Sequence, residues 1–185
     1  MRQGDIMKLK SLALFLSLGL CFAYLAHADE SIYDVVNNED MDTFSEMVTL
    51  GYDIDEPDPD GFTPLMIAAA LGKANFAQYL INNQANVNKR SYYGITALHR
   101  AAQAGHSNIV NILVEAGAWV NMPDLSGDTP LMYAVRAERQ FTAELLIKLG
   151  SDVNFMNAQG ETALKIAEKK RFKAIYELLR ANGAK

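Results

Sequence analysis

Gly94-Ile95-Thr96-Ala97-Leu98-His99-Arg100-Ala101-Ala102-Gln103-Ala104-Gly105-His106 is the stretch on which the fold turns. Glycine at its head suits a tight turn that needs positive φ. Thr96 is a helix N-cap, and Leu98 and Ala101 then bury one narrow face of a short helix. Alanine at that point lets a neighbouring helix approach closely. Gly105 stops the helix.

Outward from this stretch, the same pattern returns every 33 residues. Gly61, Gly94, Gly127 and Gly160 keep that step, as do Thr63, Thr96, Thr129 and Thr162. So do Leu65, Leu98, Leu131 and Leu164, and Ala68, Ala101, Ala134 and Ala167. Gly117, Gly150 and Gly183 follow it, with Val87-Asn88, Val120-Asn121 and Val153-Asn154. In Thr63-Pro64 and Thr129-Pro130 the cap is followed by the proline that pre-sets helical φ. Apolar residues at three- and four-residue spacing predict a second helix over Asn75–Ile81, Asn108–Val114, Phe141–Ile147 and Lys173–Leu179. Each unit therefore reads as turn, short helix, turn, short helix, loop. A period of 20–50 residues means stacked supersecondary units.

The pattern resembles the ankyrin repeat, whose period is 33 residues. The resemblance implies an all-α solenoid of stacked helix-turn-helix units joined by β-turn finger loops. It covers repeats at 60–92, 93–125, 126–158 and 159–185. A degenerate first unit over 29–59 carries helices at Ile32–Val36 and Thr43–Val48, then Leu50-Gly51-Tyr52-Asp53-Ile54-Asp55. Departures are few. His99 becomes Met66, Met132 and Lys165; Gly105-His106 becomes Gly72-Lys73, Glu138-Arg139 and Arg171-Phe172; Gln84 replaces a glycine. Weaker turns in the flanking units follow, not another fold, and terminal units are expected to be atypical.

The N-terminus reads as a leader. Lys8 and Lys10 precede an uncharged run from Leu12 to Leu25, about 14 residues, short of the roughly 18–20 that span a membrane. Ala26-His27-Ala28 offers small residues for signal-peptidase cleavage, so residues 1–28 are expected to be removed. An uncleaved anchor is the alternative, and translation starts at Met1 or Met7. Leu18-Gly19-Leu20-Cys21 departs from a lipoprotein box because Leu20 is bulky. Cleavage leaves 29–185 without its one cysteine, which suits an oxidising compartment, so a periplasmic or secreted protein is expected.

Composition narrows the function. The chain has 185 residues, 50% hydrophobic and 21% charged, which argues against disorder. Its net charge of -5 weighs against nucleic-acid binding. No nucleophile elbow and no phosphate-cradling glycine loop is present. The acidic run Asp53, Asp55, Glu56, Asp58, Asp60 lacks the spacing of a calcium loop and reads as an acidic finger. His99 and His106 are seven apart, and a metal-binding or catalytic repeat protein using them is the competing reading. Two histidines make a poor metal site without further ligands, and the resemblance gives both a structural role in bonding neighbouring backbone. No enzyme activity, metal or cofactor is expected.

The resemblance places partner binding on the concave side, made of finger tips, the residue between glycine and threonine, and the exposed end of each first helix. Here the tips are Pro59-Asp60, Tyr92-Tyr93, Leu125-Ser126 and Ala158-Gln159. The intermediate residues are Phe62, Ile95, Asp128 and Glu161, and the helix ends are Ala70-Leu71, Gln103-Ala104, Arg136-Ala137 and Lys169-Lys170. Candidate partner-binding residues are Phe62, Leu71, Tyr92, Tyr93, Ile95, Trp119, Leu125, Arg136, Lys169 and Lys170, with aromatics as the anchors. Phe62 and Ile95 either face a partner or pack between fingers. Trp119 replaces the polar Asn86 and Asp152 of neighbouring units, either as a second contact or packed on Met122 or Phe155.

Charge is segregated. Asp29–Asp60 holds 12 acidic residues and no Lys or Arg, whereas Glu161–Lys185 holds 7 basic against 3 acidic. The ends are either solvated caps or a dipole that orients a partner. The expected protein is a monomeric, non-enzymatic protein-interaction module without stable membrane insertion once cleaved. An accessory, inhibitor or immunity protein of one exported enzyme is the alternative within that class.

Overall fold

The computed structural model describes residues 32–49 and 51–185. The expected leader, residues 1–28 with Cys21, lies outside the described residues. Ten helices and no strands occur among the described residues, in five antiparallel pairs. They are α1 (Ile32–Asn38) with α2 (Met41–Thr49), α3 (Pro64–Leu71) with α4 (Ala74–Asn82), and α5 (Ala97–Ala104) with α6 (Ser107–Glu115). Then follow α7 (Pro130–Arg136) with α8 (Gln140–Lys148), and α9 (Ala163–Lys170) with α10 (Lys173–Ala181). The second helices run one or two residues past the apolar pattern that predicts them. The result is an all-α repeat solenoid.

Threonine starts the first helices. Thr63, Thr129 and Thr162 accept the backbone N–H three residues on, at 3.3, 3.4 and 3.3 Å, satisfying one of the donors that a helix N-terminus leaves unpaired. Pro64 and Pro130 occupy the first helical position. Ala68, Ala101, Ala134 and Ala167 are fully buried where first helices of successive units meet. Those helices touch along more of their length than the second helices do. Close packing on one side and looser packing on the other curve the stack, with the first helices inside.

The asparagine column ties the opposite edge together. Asn88, Asn121 and Asn154 donate Nδ2–H to the carbonyls of Gly117, Gly150 and Gly183 at 3.0, 3.1 and 3.2 Å. Their Oδ1 atoms accept the N–H of Trp119, Asp152 and Lys185 at 2.9, 2.8 and 3.0 Å. One amide thus meets both an acceptor and a donor on the next unit, a pair of hydrogen bonds that a carboxylate cannot make. The first unit has Asp55 instead, which accepts the Asn86 N–H but has no N–H to offer.

That first unit docks on the second through an aromatic cluster. Phe44 is fully buried and meets Phe76, Tyr79 and Tyr52 edge-on at 5.2, 6.1 and 6.3 Å. The substituted turns keep the repeat geometry at a conformational cost. Glu39, Glu138 and Arg171 hold φ of 55°, 57° and 60° where Gly72 and Gly105 stand in other units, and Gln84 holds 70°. Side chains strain in this left-handed region, by roughly 1–2 kcal/mol each.

Candidate protein-binding surface

Each finger is a tight loop closed by a short side chain at its base. Asp58, Ser91, Asp124 and Asn157 each accept two backbone N–H groups, two and four residues further on. Their own N–H groups bond the carbonyls of Phe62, Ile95, Asp128 and Glu161. These four residues keep the 33-residue step but share no single residue type, so a reading based on identical columns passes over them. The signal was present as a column of short acceptors.

Successive fingers then stack. Leu125 N–H donates to the Tyr93 carbonyl and Ala158 N–H to the Ser126 carbonyl, both at 3.0 Å. The Tyr92 ring lies on Gly61, where an added Cβ would sit 2.7 Å from its Cδ2. Only glycine admits this approach. The tips are consequently preorganised, which lowers the ordering cost of binding.

The structure brings Tyr92, Tyr93 and Leu125 together on these tips and leaves them 67%, 58% and 71% exposed. Ile95 and Phe62 are half-buried, and the Arg100 guanidinium stands 5.0 Å over the Phe62 ring. Leu71 is half-buried against the core. Trp119 stands apart from the tips, in the loop after α6, and is 62% exposed; its backbone N–H is held by Asn88. Phe141, at 82% exposure on α8, and Met156 were not singled out by the sequence pattern. Their columns do carry the signal: Phe141 stands where Asn75 and Asn108 are exposed in their own units, and Met156 where Arg90 is exposed.

Further along the concave face the residues bind one another. Arg136 donates Nε–H and Nη2–H to Asp128 at 3.0 and 3.2 Å, and Nη2–H to Glu161 at 3.0 Å. Lys169 Nζ reaches the other Glu161 oxygen at 3.3 Å. Hydrogen bonds from Arg136 and Lys169 hold the Glu161 carboxyl below the usual range. Asn157 Nδ2 donates to Asp128 at 2.6 Å, and Tyr133 Oη donates to Asp124 at 2.8 Å. Burial and then that bond raise the Tyr133 phenol above its ordinary pKa. Lys170 lies at the end of α9 with its ammonium 5.9 Å from the Phe172 ring.

The two histidines occupy separate niches. His99 is fully buried, and its Nδ1 accepts the Thr96 N–H at 3.2 Å. That bond places the ring proton on Nε2, which donates to the Asp128 carbonyl at 3.1 Å. Both nitrogens are therefore engaged, leaving no lone pair for a metal. Burial lowers the His99 pKa to about 4. His106 packs its ring on Gly72 instead. Among the described residues, no three His, Cys, Asp or Glu side chains gather as a metal site would.

A family described as ankyrin repeats (3 copies) matches this sequence over residues 32–124 and again over 119–185. No match was found among curated proteins. Among the described residues no helix is long and apolar enough to cross a membrane.

Proposed function

This chain belongs to the ankyrin-repeat family and is accordingly a protein-interaction module; we propose that it holds a protein partner on its finger tips and inner-helix face, outside the cytoplasm, without catalysing a reaction. The family is typically non-catalytic. The observation that carries the reading is the exposure of Tyr92, Tyr93 and Leu125 on tips already fixed by backbone hydrogen bonds. Rigid aromatic side chains supply contact area at little entropic cost, and binding hot spots are enriched in them.

The partner surface is centred on repeats 60–92 and 93–125. Arg136 and Lys169, already engaged by Asp128 and Glu161, contribute shape and charge at its margin. Trp119 offers a second contact on another part of the repeat. Export is supported by Lys8 and Lys10, the apolar run Leu12–Leu25 and Ala26-His27-Ala28, with the working protein monomeric from Asp29 onward.

The test is capture of a partner from periplasmic extract by the wild-type protein and by a Tyr92→Ala, Tyr93→Ala variant. Capture is expected to fail for the variant while its melting temperature stays unchanged. A large fall in melting temperature would show the rings to be core and sink the reading. Mass measurement of the protein recovered from its native host is expected to start it at Asp29.

A further inference from the structure

The finger surface has a charge as well as a shape. The glycine beneath the Tyr92 ring, Gly61, follows Asp58 and Asp60 on the first finger, with Asp53, Asp55 and Glu56 just before them. Asp53 and Asp58 give an oxygen to backbone N–H groups of their own loop, and Asp55 gives both to Asn86. Among the described residues, the carboxylates of Glu56 and Asp60 have no hydrogen-bond or ion-pair partner. The ion pair of Lys73 with Glu39, at 3.3 Å, joins helix turns of the first two units and not the finger. The Tyr52 hydroxyl registers the field of this loop, pushed up to about 12 by burial and then by Glu56, Asp53 and Asp58.

Three cations flank the tyrosines in the sequence, Lys89 and Arg90 of repeat 60–92 and Arg100 of repeat 93–125. Arg90 is tied to the carbonyls of Gly94 and Pro123 at 3.3 and 3.0 Å, and Lys89 is exposed. Arg100 lies over Phe62, the ring between the acidic finger and the inner helices. It is an internal example of a guanidinium seated on an aromatic face of this surface. Tyr92 and Tyr93 are exposed, and among the described residues no cation stands over either ring.

We propose that Tyr92, Tyr93 and the acidic first finger receive a basic segment of a protein partner, its arginine or lysine stems lying on the rings and their charged ends turned to Glu56, Asp58 and Asp60. The proposal rests on the reading that the fingers are the docking surface, and adds the chemistry of the occupant. Ring quadrupoles attract cations, and guanidinium groups stack on aromatic faces. A surplus of carboxylates speeds the approach of a cationic segment and makes its capture fall with salt.

The experiment measures binding of two fluorescein-labelled 12-residue peptides to the full chain. One alternates arginine with leucine; the other has glutamate in place of arginine. The arginine peptide is expected to bind at low salt and weaken as salt rises, and the glutamate peptide not to bind. A Glu56→Gln, Asp60→Asn variant should lose roughly tenfold in affinity and much of the salt dependence, with no change in melting temperature. Tyr92→Ala with Tyr93→Ala should lose at least roughly tenfold.

Binding that survives loss of both tyrosines overturns the docking surface itself. Binding that needs the tyrosines but ignores the carboxylates, or takes both peptides alike, overturns only the basic occupant. Failure of the arginine peptide to bind at low salt overturns it as well. Concentration-dependent dimers that dissolve in the Glu56→Gln, Asp60→Asn variant would make the occupant a second copy, and the proposal would fall.

Discussion

The concave side of the stack is built from one repeat pattern, yet its two halves treat the same columns differently. In repeats 60–92 and 93–125 the residues between glycine and threonine are Phe62 and Ile95, and the tips carry Tyr92 and Tyr93. In repeats 126–158 and 159–185 those intermediate residues are Asp128 and Glu161, and the helix ends facing them are Arg136 and Lys169. The first half leaves apolar rings in water. The second half satisfies its own charges through Arg136, which bridges two repeats. One repeat geometry thus yields a surface open to a partner beside one that spends its polar groups internally. These pairs are partly buried, so they hold their side chains in place, and removing one partner costs more than the pair itself contributes.

The largest effect expected to break this comparison is on binding. Tyr92→Ala with Tyr93→Ala should cost about 4 kcal/mol of partner affinity, as two hot-spot residues would. Lys169→Ala should cost far less. Isothermal titration with the captured partner measures both, and equal losses would erase the distinction between the halves.

The second effect concerns the seam between them. His99 of the apolar half donates to the Asp128 carbonyl of the charged half. Its pKa falls from 6.5 unfolded to about 4 folded, so between those values the unfolded chain binds a proton that the folded chain refuses. Stability should therefore be full above pH 6.5 and drop as pH falls through the window, by about 3 kcal/mol at most. Urea unfolding at pH 7 and pH 4.5, compared with a His99→Gln variant, isolates this contribution. A variant that keeps the full pH slope would assign the loss to the carboxylates.

Asp128→Ala should cost about 2 kcal/mol in the same urea assay, because it strands the buried Asn157 amide and leaves Arg136 only Glu161. Ile95→Ala, at the equivalent position of the apolar half, strands no polar group and should cost less. The smallest effect is a gain. Glu138→Gly and Arg171→Gly should each raise stability by about 1 kcal/mol, since the corresponding turns of the first half already use Gly72 and Gly105. No gain in thermal unfolding would show that their side chains repay the left-handed backbone by contacts.

Much of this was legible in the sequence. Identical residues at a step of 33 marked the first-helix starts of the four full repeats, their alanine contacts and the asparagine ladder. The degenerate first unit was readable from its apolar spacing, although its aromatic cluster around Phe44 was not. Column position also named both ends of the Arg136 network, placing Asp128 and Glu161 between glycine and threonine and Arg136 and Lys169 at helix ends. It could not say that they meet, because Arg136 and Glu161 are 25 residues apart and touch only once two repeats are stacked. Trp119 is likewise left 62% exposed, a choice between contact and packing that its column position alone did not make.

By itself, the sequence determined the repeating unit, its helix caps, its turns and the order of stacking, because backbone preferences and side-chain periodicity act over a few residues and recur in every copy. Only the tertiary structure decided which residues of the concave face are paired and which are bare. That choice depends on distances between repeats, which no single repeat contains.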